Sequence, residues 1–168
     1  MMMPLPAGAL ISGTGVAADP ALYRGSLEIT VKPGTPFVLP LFAWVGERYN
    51  TGQPDDPPMS NEVMLSSLNP MLTIDGRTVI TSANQAQFYV PPTYFPEMVV
   101  YPTPSSYGSI GALFYQSIGF VSPPLAVGTH VIHLYETDIV PPGAYPLFGD
   151  AGLGIIYDNT WTIKVVPK

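Results

Sequence analysis

The 168 residues (18.0 kDa) suffice for one domain with its own hydrophobic core, and the absence of cysteine excludes disulfides, thiolate nucleophiles and Cys-ligated metals. With 46% apolar residues, 21 prolines and 16 glycines, the chain is too apolar to be disordered and too often interrupted for a helical bundle. The net charge of -6, with six scattered basic residues, excludes nucleic acid as a partner.

Residues 1–23 are predicted to be an N-terminal arm or a loose segment, followed by a single domain over residues 24–168. The small residues Val16, Ala17 and Ala18 suit a signal-peptidase site, but the first basic residue is Arg24, so a signal peptide is not evident. Proline or glycine interrupts every apolar run before the roughly 20 residues that cross a bilayer, so no membrane span is expected.

Two patterns predict the first strands of the domain. Residues 26–32 alternate between polar side chains and Leu27, Ile29 and Val31, as in a strand with one face on a core. Residues 35–45 are almost continuously apolar, which predicts a strand buried on both faces. A bend is expected near Pro40, because a proline cannot donate to the ladder.

One short helix is predicted near residues 60–68, after a polar loop over residues 47–58. Ser60 or Asn61 can cap its first turn, and Asn69–Pro70 ends it. Asp75–Gly76 then predicts a two-residue hairpin between strands 71–74 and 77–81, because both residue types tolerate positive φ.

Further apolar segments, separated by prolines, predict strands at 88–90, 98–101, 110–121, 129–136 and 155–166. Eight or nine strands with irregular connections indicate an all-β fold, an antiparallel β-sandwich of jelly-roll-like form.

Four sequence motifs occur along the chain in an order that is typical of one protein family. They are an amphipathic strand with V-K-P-G-T-P-F-V-L-P-L in Gly25–Leu41, M-L-T-I-D-G-R-T at Met71–Thr78, P-L-A-V-G-T-H-V-I-H-L at Pro124–Leu134, and D-N-T-W-T-I-K-V-V at Asp158–Val166. Over about residues 25–167 the chain resembles a family of secreted β-sandwich proteins of unknown function from bacteria and fungi. It lacks that family's Trp-rich N-terminal segment and cysteines. The resemblance implies a sandwich fold and an extracytoplasmic or secreted setting, and it assigns no catalytic residue.

The two histidines stand with an acid in the pattern H-x-x-H-x-x-E at His130, His133 and Glu136. On a strand, His130 and Glu136 share one face about 20 Å apart, while His133 points to the other face. The three side chains therefore do not gather around one metal ion. We expect His130 to be hydrogen-bonded at the strand start and His133 to be packed or at the surface, although one histidine can still join acids from a neighbouring element.

Acidic residues near turns offer candidate calcium ligands, because hard cations prefer carboxylate and carbonyl oxygens. One set is Asp55 and Asp56 with Glu62, and the other is Asp138, Asp150 and Asp158; His130 is a further candidate metal ligand. The alternative is that these residues are solvated turn residues and that the protein has no cofactor. A pair of glycosidase carboxylates is also conceivable, but nothing in the sequence fixes the distance between two of them.

Aromatic residues are concentrated in one part of the chain: nine of the nineteen lie between residues 88 and 120. The phenylalanines Phe88, Phe114 and Phe120 lie in apolar segments and are expected to face the core. The tyrosines among proline, serine and threonine are the surface candidates, and a tyrosine ring with its polar tip suits stacking on a sugar or a protein partner. The predicted ligand-binding residues are Tyr89, Tyr94, Tyr101 and Tyr107.

Two functions from different classes fit these features. The first is a non-enzymatic extracellular or surface protein that acts by contact, either by self-association into an oligomer or filament or by binding a glycan or protein on its Tyr-rich loops. A charge content of 11%, against roughly 25% in an average domain, favours it because much uncharged surface must be exposed or covered. The alternative is a secreted hydrolase of an extracellular polymer that uses loop carboxylates and a histidine.

Overall fold

The computed structural model describes residues 1–4, 6 and 8–167. These residues form nine strands in two sheets, the α-helix α1 (Asn61–Ser67) and two 3₁₀ helices (Gln85–Phe88 and Pro146–Ala151). The strands are β1 (Ala9–Ser12), β2 (Ala21–Val31), β3 (Phe37–Tyr49), β4 (Leu68–Ile74), β5 (Arg77–Thr81), β6 (Tyr89–Val100), β7 (Ser109–Ser122), β8 (Gly128–Val140) and β9 (Leu153–Val165).

The strands form a six-stranded sheet in the order β1-β2-β9-β8-β4-β5 and a three-stranded sheet in the order β3-β7-β6. This arrangement confirms the predicted all-β sandwich. One pairing departs from the antiparallel prediction, because β2 and β9 run parallel from Ala21–Ile155 to Val31–Val165. Parallel neighbours need a long connection between them, and these two strands lie near opposite ends of the sequence.

The core lies between the sheets, where strand residues alternate between buried and exposed positions. Trp161 of β9 is fully buried, and its indole N–H donates to the Pro4 carbonyl oxygen at 2.9 Å. Met3 is also buried, and its backbone N–H donates to Val38 at 2.8 Å. Residues 3 and 4 thus contact strands of both sheets, residues 9–12 form β1, and the domain start predicted at residue 24 falls inside β2.

Strand β3 differs from its prediction in two ways. It is buried on one face only, since Val38 is 37% and Val45 is 38% exposed. The cause is that no described residues form a layer on the outer face of the three-stranded sheet. It also continues to Tyr49, so the first residues of the predicted polar loop are strand. The ladder shifts register between Pro40 and Phe42, as expected for a proline on an edge strand.

The predicted cap at Ser60 and the predicted Asp75–Gly76 turn are confirmed, whereas Asn69 and Pro70, which were predicted to end the helix, lie in β4. Helix α1 begins after Ser60, whose hydroxyl accepts from the Val63 backbone N–H at 3.1 Å, and it ends where Leu68 enters β4. Asp75 and Gly76 have φ values of 51° and 74° and connect β4 to β5.

Strand β6 is continuous where two shorter strands were predicted. Its interior contains Pro91, Pro92 and Pro96, which cannot donate ladder hydrogen bonds. An edge strand tolerates them, because one side of β6 has no neighbouring strand in the described chain and because the ladder with β7 shifts register in two places.

Candidate binding site

An inter-sheet cavity of about 440 Å³ lies between β3 and strands β8 and β9. Residues 40–44 of β3 line one side, and Leu134, Asp138 and alternate residues of β9 from Leu153 to Asn159 line the other. Phe148 of the second 3₁₀ helix also lines it. Apart from Asp138, Tyr157 and Asn159, the lining side chains are apolar.

Two carboxylic acids lie on the core face of the sheet beside this cavity. Glu136 and Asp138 follow Ile132 and Leu134 at every second position of β8, so all four side chains point inward, and the two acids are 0% and 1% exposed. No hydrogen-bond donor among the described residues reaches the four carboxylate oxygens or the Oδ1 atom of Asn159 on β9. Buried polar groups without partners are rare in native proteins and require an explanation.

The buried position changes the ionisation of both acids. Burial raises the pKa of Asp138 to about 8. Burial, together with the charge of Asp138, raises the pKa of Glu136 well above its ordinary range. Both shifts disfavour the charged form, so the pair is kept from full ionisation at neutral pH.

A second cleft, of about 560 Å³, adjoins the cavity, since Ala43, Trp44 and Phe148 line both. We call it the tyrosine cleft, and its polar and aromatic lining consists of Trp44, Glu47, Tyr49, Gln53, Asp56 and Tyr107, with Phe148. Register shifts in β3 turn Trp44, Glu47 and Tyr49 all toward the interior, since their partners on β7 are the buried Gln116, Ala112 and Ser109.

The wall between the two spaces is a rigid aromatic cluster. The Trp44 ring lies edge-on to Tyr145 and Phe148, with centroid distances of 5.1 and 5.5 Å. The Trp44 indole N–H donates to the Tyr145 hydroxyl at 3.1 Å, and this hydroxyl donates to the Pro57 carbonyl at 2.6 Å. Burial raises the pKa of Tyr145 to about 12, so its hydroxyl keeps the proton that it donates.

Both carboxylates of the tyrosine cleft are fixed by phenol groups. Tyr101 donates to Glu47 Oε1 at 2.6 Å and Tyr107 donates to Glu47 Oε2 at 3.3 Å. Tyr49 donates to Asp56 at 2.9 Å, and the Glu47 backbone N–H donates to the same oxygen at 3.1 Å. Burial raises the pKa of Asp56, and burial with the neighbouring Glu47 raises the pKa of Tyr101 to about 12.

The predicted tyrosines separate into different environments. Tyr94 and Tyr107 are each 61% exposed, as predicted. Tyr107 lines the tyrosine cleft, and the half-buried Tyr101 donates to Glu47 of the same cleft. The Tyr94 ring instead lies 5.1 Å from the Phe114 ring, measured between centroids, and Tyr89 donates to Asn61 at 2.6 Å. These two tyrosines therefore lie outside the tyrosine cleft.

The first predicted set of calcium ligands does not converge. Asp55 forms an ion pair with Arg48 at 2.7 Å, and that hydrogen bond lowers the pKa of the Asp55 carboxyl. Asp56 points inward to Tyr49, and Glu62 lies exposed in the first turn of α1. The three carboxylates therefore lie in three different environments.

The second set is divided between the two faces of the large sheet. Asp138 points into the core, whereas Asp158 of β9 lies on the outer face with His133 at 2.9 Å and Arg24 at 2.8 Å. Asp150 is exposed in the second 3₁₀ helix. No three His, Cys, Asp or Glu residues of the described chain form a group that could hold a metal ion, and calcium binding stays a prediction without a site.

The histidine pattern lies on strand β8, as predicted. His130 contacts Asp75 at 2.7 Å and the Ala126 carbonyl at 2.9 Å near the strand start, and these hydrogen bonds raise the pKa of His130. His133 points to the outer face and Glu136 to the core. The expectation that the H-x-x-H-x-x-E residues do not gather at one point is confirmed.

No family model matches the sequence, and no curated protein matches it significantly. Among solved structures, the chain is similar to a mutant of CfaE, the CFA/I adhesin of enterotoxigenic E. coli, with 11% identity and a TM-score of 0.18. The alignment covers 74% of this chain and 32% of the adhesin chain. A TM-score of this size carries no argument about fold or function, and the resemblance to the secreted sandwich family stays a prediction.

No helix of the described residues has both the length and the apolar character needed to cross a membrane.

Proposed function

We propose that this protein is a non-enzymatic, extracytoplasmic binding protein that acts by contact and holds a glycan in the tyrosine cleft. The observation that carries the proposal is the combination of aromatic rings with hydrogen-bonding side chains in one cleft. Trp44 and Tyr107 supply the rings, while Glu47, Gln53 and Asp56 supply the polar groups.

This combination matches the surface of a sugar. One face of a pyranose ring carries C–H groups that pack on an aromatic ring, and its rim carries hydroxyls that donate to carboxylates and amides. The tyrosine cleft has about 560 Å³, which lies within the range of small-ligand pockets of about 300–1,000 Å³. A short oligosaccharide fits this chemistry.

The polar groups are also held in place before a ligand arrives. Tyr101 and Tyr107 position the Glu47 carboxylate, and Tyr49 positions Asp56. A preorganised site loses less side-chain entropy on binding, so more of the contact energy is available as affinity.

The alternative of a secreted hydrolase draws on loop carboxylates and a histidine. In the structure His130 engages Asp75 and His133 engages Asp158, so neither histidine lies with Asp55 or Asp56. The contact function is therefore the better supported of the two.

Replacing Tyr107 with alanine is expected to weaken glycan binding by about tenfold or more, because the ring face that stacks on the sugar is lost. The measurement is an array of bacterial, fungal and plant polysaccharides, followed by calorimetry with the oligosaccharide that binds best. Tyr94→Ala is the matched control, since Tyr94 is equally exposed at 61% but lies outside the cleft. A blank array, or an equal loss in both variants, would contradict the proposal.

Self-association is a second candidate, favoured by the outer face of the three-stranded sheet. There Val38 is paired with Val121, and Val45 with Tyr115, so two pairs of large side chains are exposed on this face. Apolar surface of this kind is stabilised when a second copy covers it.

Val121→Lys is expected to convert an oligomer of this protein into a monomer, because it places a charge on the most exposed of these apolar side chains. Light scattering coupled to size exclusion measures the mass. Val127→Lys is the control, because Val127 is 60% exposed, close to the 67% of Val121, and lies in the loop before β8. A wild-type protein that stays monomeric at high concentration removes the motivation for this candidate.

A further inference from the structure

We infer that the inter-sheet cavity is a binding site for a small organic ammonium ion, whose charged group meets Asp138, Glu136 and Asn159 and whose apolar body lies between the sheets. This site is separate from the tyrosine cleft of the proposed function, although Trp44 and Phe148 border both.

The hydrogen-bonding groups of the acid pair and Asn159 are not balanced, because buried acceptors lack donors. Glu136 and Asp138 present four carboxylate oxygens and Asn159 presents its Oδ1 atom, and none of the five has a partner in the described chain. Asp138 and Asn159 line the cavity directly. A primary ammonium group has three donors and no acceptor, so it is the ligand group that complements a surface of acceptors.

The charges of the two acids also favour a cation. Two acids placed together in the core repel each other when ionised, and burial penalises each charge. A bound cation would offset both costs, because a buried charge is tolerated when it is paired and hydrogen-bonded. The cavity thus selects a cation over a neutral group of the same shape.

The rest of the cavity lining is apolar and suits an organic body. Leu41, Phe42, Leu134 and Ile155 give the cavity apolar walls, and its volume of about 440 Å³ holds an aromatic or alkyl body. A hard metal ion fits less well. Calcium takes six to eight oxygen ligands, whereas apolar walls supply none and the described residues hold no group of three metal-ligating side chains.

The cavity also reaches solvent. Ala43 of the edge strand β3 is exposed, and Tyr157 and Phe148 are half-buried, yet all three line the cavity. A ligand can therefore enter beneath the edge of β3 without unfolding the sandwich.

The surroundings of the acid pair contain few other titratable groups. On β9, Tyr157 faces the pair and stacks on Tyr23 of β2, and burial, together with the charges of both acids, raises the pKa of Tyr157. The residues opposite on β4, Leu68 and Pro70, do not titrate, and neither do residues 40–44 of β3. Proton release on binding therefore reports on Glu136 and Asp138.

The test is calorimetry with 2-phenylethylammonium chloride, its neutral analogue 2-phenylethanol and calcium chloride as probes. The ammonium ion is expected to bind at least about tenfold more tightly than the alcohol, with affinity that rises between pH 6 and 8 as the acids ionise more easily. Titrations in buffers of different ionisation enthalpy should show proton release on binding. Equal binding of the alcohol, preferential binding of calcium, or no heat with any probe would overturn the inference.

Asp138→Asn is expected to lower the affinity for the ammonium ion by about tenfold or more and to reduce proton release, while keeping the shape of the side chain. Glu28→Gln is the control, because Glu28 lies on the outer face of β2, paired with Lys164 at 2.6 Å. Unchanged binding by Asp138→Asn would refute the site. The Tyr107→Ala variant should bind the ammonium ion normally, which separates a failure of this inference from a failure of the glycan proposal.

Discussion

Replacing Asp138 with asparagine is expected to raise the free energy of unfolding at pH 8 by about 2 to 5 kcal/mol. Asparagine has nearly the same shape as the acid and carries no charge at any pH. The gain is large because Asp138 is only 1% exposed and its carboxylate lacks a partner in the described chain. The native protein therefore loses stability whenever this group is forced to ionise.

The direction of the pH dependence follows from where the proton is held. The ordinary pKa of an aspartate is 3.8, and burial raises that of Asp138 to about 8 in the folded protein. Between these values the folded state keeps a proton that the unfolded state has released, so stability falls by up to about 1.4 kcal/mol per pH unit. The stabilisation that comes from the neutral Asp138 carboxyl is complete below about pH 4 and is lost above about pH 8.

Three acids that accept hydrogen bonds from basic side chains act in a different window. Asp55, Asp75 and Asp158 have lowered pKa values because of hydrogen bonds from Arg48, His130 and His133 respectively, so their contributions are lost only on acidification below about pH 4. They do not mask the slope between pH 4 and 8.

Chemical denaturation at pH 5, 6.5 and 8 measures this effect. The wild type should lose stability as the pH rises, whereas Asp138→Asn should show a shallower slope and the difference between them should be greatest at pH 8. Glu28→Gln should follow the wild type, because Glu28 is exposed on the outer face. An identical slope in Asp138→Asn and wild type would show that this carboxyl is not held in its neutral form.

The parts of the fold that the sequence predicts correctly depend on local chemistry. The Asp75–Gly76 turn needs only residues that tolerate positive φ, and the cap at Ser60 needs only a hydroxyl three residues before a backbone N–H. The alternation along β8 likewise places His133 outside and His130 near the strand start. These features are decided within a few residues of sequence.

The sequence pattern does not reveal the acid pair, and the reason is physical. It predicts a strand that ends at residue 136 and places Asp138 among turn residues, since acids are expected at the surface. Yet Ile132, Leu134 and Val140 share the phase of both acids, so continued alternation would have turned Glu136 and Asp138 inward. Two buried acids without partners contradict the rule that acids lie at the surface, and such exceptions concentrate at functional sites.

The tyrosine cleft depends on contacts that no local pattern contains. The sequence pattern places Trp44 in an apolar strand and Glu47 at the start of a polar loop, although register shifts turn both into the cleft. Tyr107 reaches Glu47 from 60 residues away, and Tyr49 reaches Asp56 across the intervening loop. Of the predicted tyrosines, only Tyr107 lines this cleft, because exposure alone does not determine which side chains meet.

Gln116 of β7 fixes the end of the loop that carries Asp56. Its amide oxygen accepts from the Met59 backbone N–H at 2.9 Å and its amide nitrogen donates to the Met59 carbonyl at 3.1 Å, with all these groups buried. The side chain thus pairs with the loop as a neighbouring strand would. Without it, both backbone groups of Met59 would be buried without partners.

Gln116→Leu is therefore expected to lower the free energy of unfolding by about 2 to 4 kcal/mol, although leucine is similar in size and more apolar. Denaturant titration measures the loss, and Ser117→Ala, on the opposite face of β7, should change stability by less than about 0.5 kcal/mol. A loss below about 1 kcal/mol would mean that water or a moved loop satisfies Met59. Because Asp56 lies three residues before Met59, the full loss should be accompanied by weaker glycan binding, whereas loss of the Tyr107 ring should weaken binding without lowering stability comparably.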